Sequence, residues 1–263
     1  MKSNNLPIGI FDSGIGGTSI WKEIKTLLPN ENTIYLADSK NAPYGVKSRQ
    51  DIIDLSIKNT DFLINQKCKL IVVACNTATT NAIKILRTSY TIPFIGIEPA
   101  IKPAALKTKT NTIGILATKG TLTSKLFEKT SNSLGKAIII KETIGDNLVE
   151  LIEEGKIDSK EMYNLLSKYL IPMLNEGVDC LVLGCTHYPY LIPKIREIVG
   201  NKIEIIDSGQ AVARQTKAIL QKYAILKSDD KSGTHQFFIN KDKKVLASLI
   251  DLHKNITVNE KNF

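Results

Sequence analysis

The sequence predicts an α/β protein built from two pseudo-symmetric three-layer halves with largely parallel sheets. Two observations carry this. Short apolar runs alternate with amphipathic segments, the pattern of buried strands joined by crossover helices. The pattern also recurs. Residues 8–14 (IGIFDSG) resemble 113–119 (IGILATK) at a shift of 105, and 70–77 (LIVVACNT) resemble 180–187 (CLVLGCTH) at a shift of 110. With 263 residues the chain has room for two small domains or one large one, and for a substantial core.

Eight strands are expected, at 7–12 (PIGIFD), 32–38 (NTIYLAD), 69–75 (KLIVVAC), 92–97 (IPFIGI), 112–118, 137–141, 179–185 and 202–207. Between them, Ile20, Ile24, Leu27 and Leu28 share one helical stripe. Met162, Leu165, Leu166, Tyr169, Leu170 and Met173 form another, which Pro172 is expected to kink or end. After Leu226 the chain is charged and less regular. There, 234–239 reads as a strand, and Val245, Leu246, Leu249 and Ile250 line a short helix. No chemistry is assigned to 227–263.

Composition narrows the function classes. With 43% hydrophobic and 23% charged residues the chain is an ordinary folded protein, not a disordered one. The net charge of +9 invites a nucleic-acid partner, but only four of the 35 basic residues are Arg, and the lysines are scattered. The charge therefore reads as lysine-rich composition, and no nucleic-acid partner is expected. No run approaches the ~18 apolar residues of a membrane span, and the N-terminus does not read as a signal peptide. A cytoplasmic protein with reduced thiols is expected. Four cysteines are too few for a disulfide scaffold. Their spacings, C-x6-C and C-x4-C, match neither zinc knuckles nor a redox C-x-x-C.

Ligands of open α/β sheets bind beyond the carboxyl ends of the strands. Polar residues cluster at four such ends: 12–17 (DSGIGG), 75–77 (CNT), 118–121 (TKGT) and 185–187 (CTH). The glycine loop suits a small carboxylate at a helix N-terminus but is neither a P-loop nor G-x-G-x-x-G. Cys68 and Cys180 lie ahead of or within apolar strands and read as packing residues. Cys75 and Cys185 end strands, where helix N–H groups are expected to favour the thiolate. Two single thiols on opposing halves suit proton transfer on both faces of one carbon. His187, two residues from Cys185, is positioned to tune that thiol or bind an anion, and Asp12 to do the same for Cys75. Asn76, Thr77 and Thr186 supply neutral donors, and Tyr44-Gly45 a turn able to close over a ligand.

These motifs resemble those of the glutamate racemases, cofactor-independent enzymes of the aspartate/glutamate racemase family. The resemblance rests on 12–17 (DSGIGG), 43–45 (PYG), 74–78 (ACNTA), 183–189 (LGCTHYP) and 207–209 (DSG), and spans about residues 7–222, with a weaker echo through His235–Asp242. It implies two α/β domains with the active site in the cleft between them. The first is 1–97 with 208–263, and the second 98–207. It implies Cys75 and Cys185 as the paired acid/base residues, the first acting on D- and the second on L-glutamate. Asp12 and His187 would assist the thiols. Glu153 falls where the family has an assisting glutamate, with Glu154 adjacent. Asp12, Ser13, Tyr44, Gly45, Asn76, Thr77, Thr186 and His187 would contact substrate. No role attaches to Lys119. Glutamate is the implied substrate, with no cofactor and no metal, and D-glutamate for peptidoglycan the implied product. A homodimer is an assembly the sequence leaves open. Aspartate as substrate, or amino-acid binding without turnover, are the alternative readings.

Overall fold

The leading strand β1 (Ile8–Asp12) begins a series with α1 (Thr18–Leu27), β2 (Thr33–Ala37), α2 (Arg49–Asn65), β3 (Leu70–Val73), α3 (Asn76–Ser89) and β4 (Phe94–Gly96). After α4 (Ile101–Lys107) a second series follows: β5 (Thr112–Ala117), α5 (Lys119–Leu122), α6 (Lys125–Asn132), β6 (Ile139–Ile144), α7 (Leu148–Glu153), α8 (Lys160–Asn175), β7 (Cys180–Gly184), α9 (Ile192–Val199) and β8 (Glu204–Ile206). The chain closes with α10 (Gly209–Lys222), β9 (His235–Ile239), α11 (Lys244–Leu249) and β10 (Ile256–Glu260). This computed structural model describes residues 3–135, 137–250 and 254–263.

Two sheets result, ordered β10-β9-β2-β1-β3-β4 and β6-β5-β7-β8. Among the described residues every strand pair is parallel. Without β9 and β10 the two orders coincide, β1 standing for β5 and β3 for β7. The repeat in the sequence is thus a repeat of topology. Central parallel strands are covered on both faces and so read as unbroken apolar runs. All residues of β1, β3, β5 and β7 are buried.

Each sheet is the middle of three layers. On the six-stranded sheet, Ile8, Ile10, Leu70 and Val72 cluster with Ile20 and Ile24 of α1 and Val212 and Leu220 of α10. Phe11, Ile71 and Val73 cluster on the other face with Leu63 of α2 and Ala82 and Leu86 of α3. On the four-stranded sheet, Ile113, Ile115 and Val182 meet Ile101, Ala104 and Phe127. Leu116, Leu181 and Leu183 meet Ile152, Leu166 and Ile195. Each such side chain contributes about 1.5–3 kcal/mol when buried.

Three elements depart from expectation. Strand β6 is displaced C-terminally from 137–141 to Ile139–Ile144, and none of its residues is fully buried. It is a sheet edge, so its polar residues Lys141 and Glu142 pair within the ladder. Helix α8 runs through Pro172 to Asn175. Pro172 stands in the last turn, and the helix ends three residues after it. In the tail, the expected strand and helix form as β9 and α11, and β10 (ITVNE) adds an edge strand beyond those expected.

Candidate active site

The carboxyl ends of β1, β3, β5 and β7 surround a narrow, nearly closed cavity. Ser13, Tyr44, Gly45, Cys75, Asn76 and Thr77 line it from the six-stranded sheet, and Cys185, Thr186 and His187 from the other. Pro43, Thr118 and Val149 complete the wall. Thr118 belongs to a strand-end segment visible in the sequence, whereas nothing in the sequence marks Val149. Asp12 and Glu153 stand directly behind the lining, in contact with it.

Cys75 is the N-cap of α3, and its sulfur accepts from the Ala78 N–H at 3.4 Å. Its Sγ lies 3.6 Å from Ser13 Oγ, which lies 3.5 Å from Asp12 Oδ1. The expectation that the helix terminus favours the thiolate here is overturned. Burial and then the Asp12 carboxyl push the Cys75 thiol well above its usual range, outweighing the Ala78 N–H and the Ser13 hydroxyl. Asp12 itself is held above the usual carboxylate range, because burial outweighs the help of His187 and of the Gly17 N–H, which donates to Oδ2 at 2.7 Å. Thr186 Oγ1 reaches across to Asp12 Oδ1 at 3.4 Å.

Cys185 has a different neighbour. Its Sγ lies 3.7 Å from His187 Nδ1, and His187 Nε2 lies 2.7 Å from Glu153 Oε1. Burial alone would lower the imidazole pKa, but Cys185, Glu153 and Asp12 together raise it well above its usual value. These neighbours favour the imidazolium, in which Nε2 donates to Glu153. Gly16 N lies 3.2 Å from the same nitrogen, a hydrogen bond only when Nε2 has lost its proton. Glu153 is buried, whereas Glu154 is solvent-facing and paired with Lys156 at 2.7 Å. Of the two adjacent glutamates, only Glu153 reaches this cluster.

The glycine loop holds protein groups. Ile15 N–H donates to Glu153 Oε1 at 2.6 Å, and Gly17 N–H to Asp12. The carboxylates at its amides are thus side chains of this chain. The glycines are needed for close approach: a Cβ on Gly14 would lie 1.9 Å from Glu153 Oε1, and one on Gly16 would lie 2.2 Å from His187 Nδ1.

Asn76 shows what the cavity lacks. Both Oδ1 and Nδ2 are buried without a protein partner. Each unpaired group costs about 1–3 kcal/mol, so the amide is poised for a ligand carrying both a donor and an acceptor. Thr77 Oγ1 contacts Thr118 Oγ1 at 2.8 Å and Thr121 Oγ1 at 3.2 Å, a hydroxyl cluster that joins the two halves at the cavity rim. Lys119 lies outside, at the mouth formed with Gly45, Val46 and Asn147. Cys68 and Cys180 are buried free thiols whose titration burial pushes up to about 12 and about 11. Among the described residues, no group of three or more His, Cys, Asp or Glu is arranged to hold a metal ion. Nor is any helix there long and apolar enough to cross a membrane.

Residues 8–216 match the Asp/Glu/Hydantoin racemase family. A glutamate racemase of Cupriavidus pinatubonensis is 44% identical over 94% of this chain and 90% of its own. The glutamate racemase RacE1 of Bacillus anthracis superposes with a TM-score of 0.87 at 31% identity, over 98% of each chain. That of Francisella tularensis, solved with D-glutamate, gives 0.83 at 29% identity over 97% of this chain and 98% of its own. Sequence, fold and cavity agree, and the chain belongs to the glutamate racemases of the Asp/Glu/Hydantoin racemase family, amino-acid racemases and hence isomerases.

Proposed function

We propose that this chain interconverts L- and D-glutamate by a two-thiol mechanism that needs no organic cofactor and no resident metal. The observation that carries it is the pair of cysteines at equivalent strand ends, Cys75 after β3 and Cys185 after β7, lining one cavity. With L-glutamate bound, the Cys185 thiolate takes the Cα proton and becomes a thiol. The Cys75 thiol then gives its proton to the opposite face of the carbanion and becomes a thiolate. One C–H bond breaks and one forms, so no net proton or electron is consumed. D-glutamate follows the same steps in reverse.

The neighbours fit these roles. His187, its pKa raised by its anionic neighbours and its ring braced by Glu153, offers positive charge beside Cys185. Asp12 and Ser13 serve Cys75. Asn76, with Thr77, Thr186, Tyr44 and Gly45, would hold the substrate's charged groups, and the two half-sites supply the orientation that a weak carbon acid requires. The cleft reading divides the chain into 1–97 with 208–263, and 98–207. The D-glutamate bound by the Francisella relative supports glutamate over aspartate. The product would serve peptidoglycan synthesis in the cytoplasm.

The test is circular dichroism of L-glutamate with purified protein, and L-aspartate in parallel. The signal of L-glutamate should decay to zero while that of L-aspartate persists. Decay with aspartate only would reassign the substrate. Binding without decay of either would make the chain a binding protein.

A further inference from the structure

The tail to which the sequence assigns no chemistry is linked to the wall of the cavity through one buried carboxyl, Asp38. Strand β9 runs parallel to β2, with Ile239 opposite Ala37. Extending that register by one residue sets Asn240 beside Asp38, just beyond both strand ends. Asn240 Nδ2 donates to Asp38 Oδ1 at 2.5 Å, and Asn240 Oδ1 accepts from Lys40 N–H at 2.8 Å. Asp38 is buried, and its second oxygen accepts from Tyr44 Oη at 2.5 Å. Asn41 Nδ2 adds a donor to Asp38 Oδ1 at 2.8 Å, and Asn59 Nδ2 donates to Tyr44 Oη at 3.1 Å. A buried carboxylate thus receives three hydrogen bonds, two from amides and one from the phenol.

The far end of this chain of contacts matters for access. Pro43 and Gly45, on either side of Tyr44, line both the inner cavity and the outer mouth. Tyr44 itself is buried and faces the cavity. The Tyr44 loop is therefore the partition between the two spaces. Its phenol hangs on Asp38, and Asp38 is shared with the tail.

We propose that Asn240 is a positioning residue for substrate binding. Through Asp38 it fixes Tyr44, and with it the Pro43–Gly45 wall that a bound substrate touches. This rests on the reading of the cavity as the reaction site. Asn240 touches no substrate, so its effect appears in KM. Part of the strength of a charge-assisted hydrogen bond, transmitted to the wall, corresponds to a rise in KM of about tenfold.

The experiment is a double-mutant cycle on steady-state kinetics in both directions, with Asn240→Ala, Tyr44→Phe and the pair, alongside thermal melts. Asn240→Asp is run beside them, since it keeps the shape and the acceptor for Lys40 while setting a second carboxyl against Asp38. The proposal expects KM to rise about tenfold in Asn240→Ala and Asn240→Asp, with kcat changed less than threefold. It expects little further rise when Asn240→Ala is added to Tyr44→Phe. A lowered melting temperature with unchanged KM in either Asn240 variant would overturn it. So would effects of the two substitutions that multiply. Lack of turnover in the wild type would instead overturn the reaction-site reading itself.

Discussion

The two halves of the site share topology and differ in electrostatics. Cys75 and Cys185 follow equivalent strands, β3 and β7, in sheets of the same order. Yet Cys75 faces the hydroxyl of Ser13 and the carboxyl of Asp12, and Cys185 faces an imidazole backed by the Glu153 carboxyl. A repeated fold thus delivers two sulfurs to one cavity, and the residues flanking each sulfur set its chemistry. Burial pushes the Cys75 thiol up, and its anionic neighbour pushes the same way. At His187 burial pushes the pKa down, and the anionic neighbours win. In this pair the charged partners, more than the depth of burial, separate one half-site from the other.

The most severe way to break the comparison is to remove either sulfur. Cys75→Ala and Cys185→Ala should each lower racemisation by on the order of 10²–10⁴-fold or more, measured by circular dichroism. Near-normal turnover in either variant would sink the two-thiol reading.

Glu153→Gln should act chiefly on the Cys185 half. It retains the acceptor for Ile15 N–H but loses a charge that raises the His187 pKa. Loss of a charge-assisted hydrogen bond predicts a fall in kcat/KM of about 10–100-fold. The two enantiomers are equal in energy in achiral solution, so kcat/KM must fall equally in both directions. The side appears instead in isotope effects. The Cα-deuterium effect should increase more for L-glutamate, whose proton meets Cys185, than for D-glutamate. An equal increase for both would remove the asymmetry claimed here.

Asp12→Asn tests the other half through stability. The folded-state pKa of Asp12 lies above the unfolded value, so its favourable contribution is complete at pH below about 3.9 and is lost as pH rises through the folded pKa. At neutral pH the variant should therefore melt above the wild type while racemisation falls, and the advantage should vanish in acid. A lower melting temperature at neutral pH would contradict the cause assigned to the shift.

The smallest effect is a control far from the cavity. His235, buried against Trp21, has its pKa lowered to about 4 by burial and then by Lys25. Its contribution is present above about pH 6.5 and is lost as pH falls through about 4. Urea unfolding of His235→Gln should show a shallower loss of stability over this interval, with turnover at neutral pH unchanged. An unaltered acid slope would separate His235 from the acid sensitivity.

Much of this was legible in the sequence because parallel strands and strand-end motifs are local patterns. The buried runs of β1, β3, β5 and β7 and the flanks of Cys75 and Cys185 stand in contiguous residues. What was not legible depends on distant register or on direction. Glu153 and Glu154 are neighbours in sequence, but successive residues near a helix end point different ways, and only one reaches His187. The carboxyl at the Gly17 amide comes from the loop's own first residue, and the one at Ile15 from 138 residues downstream. Asn240 meets Asp38 only because β9 docks on β2, a pairing across 202 positions that no local pattern encodes. The pKa of Cys75 escaped for the same reason: the helix terminus is local, whereas the burial that outweighs it belongs to the whole fold.

The two-thiol claim is tested most directly by running the wild-type protein in D₂O from each enantiomer and analysing both pools at low conversion. Each thiol is monoprotic, so the acid donates a solvent-derived deuteron to the product while the base retains the proton it took. The product should carry deuterium at Cα and the recovered substrate should not, in both directions. Product without label, or substrate labelled as fast as product, would contradict the account.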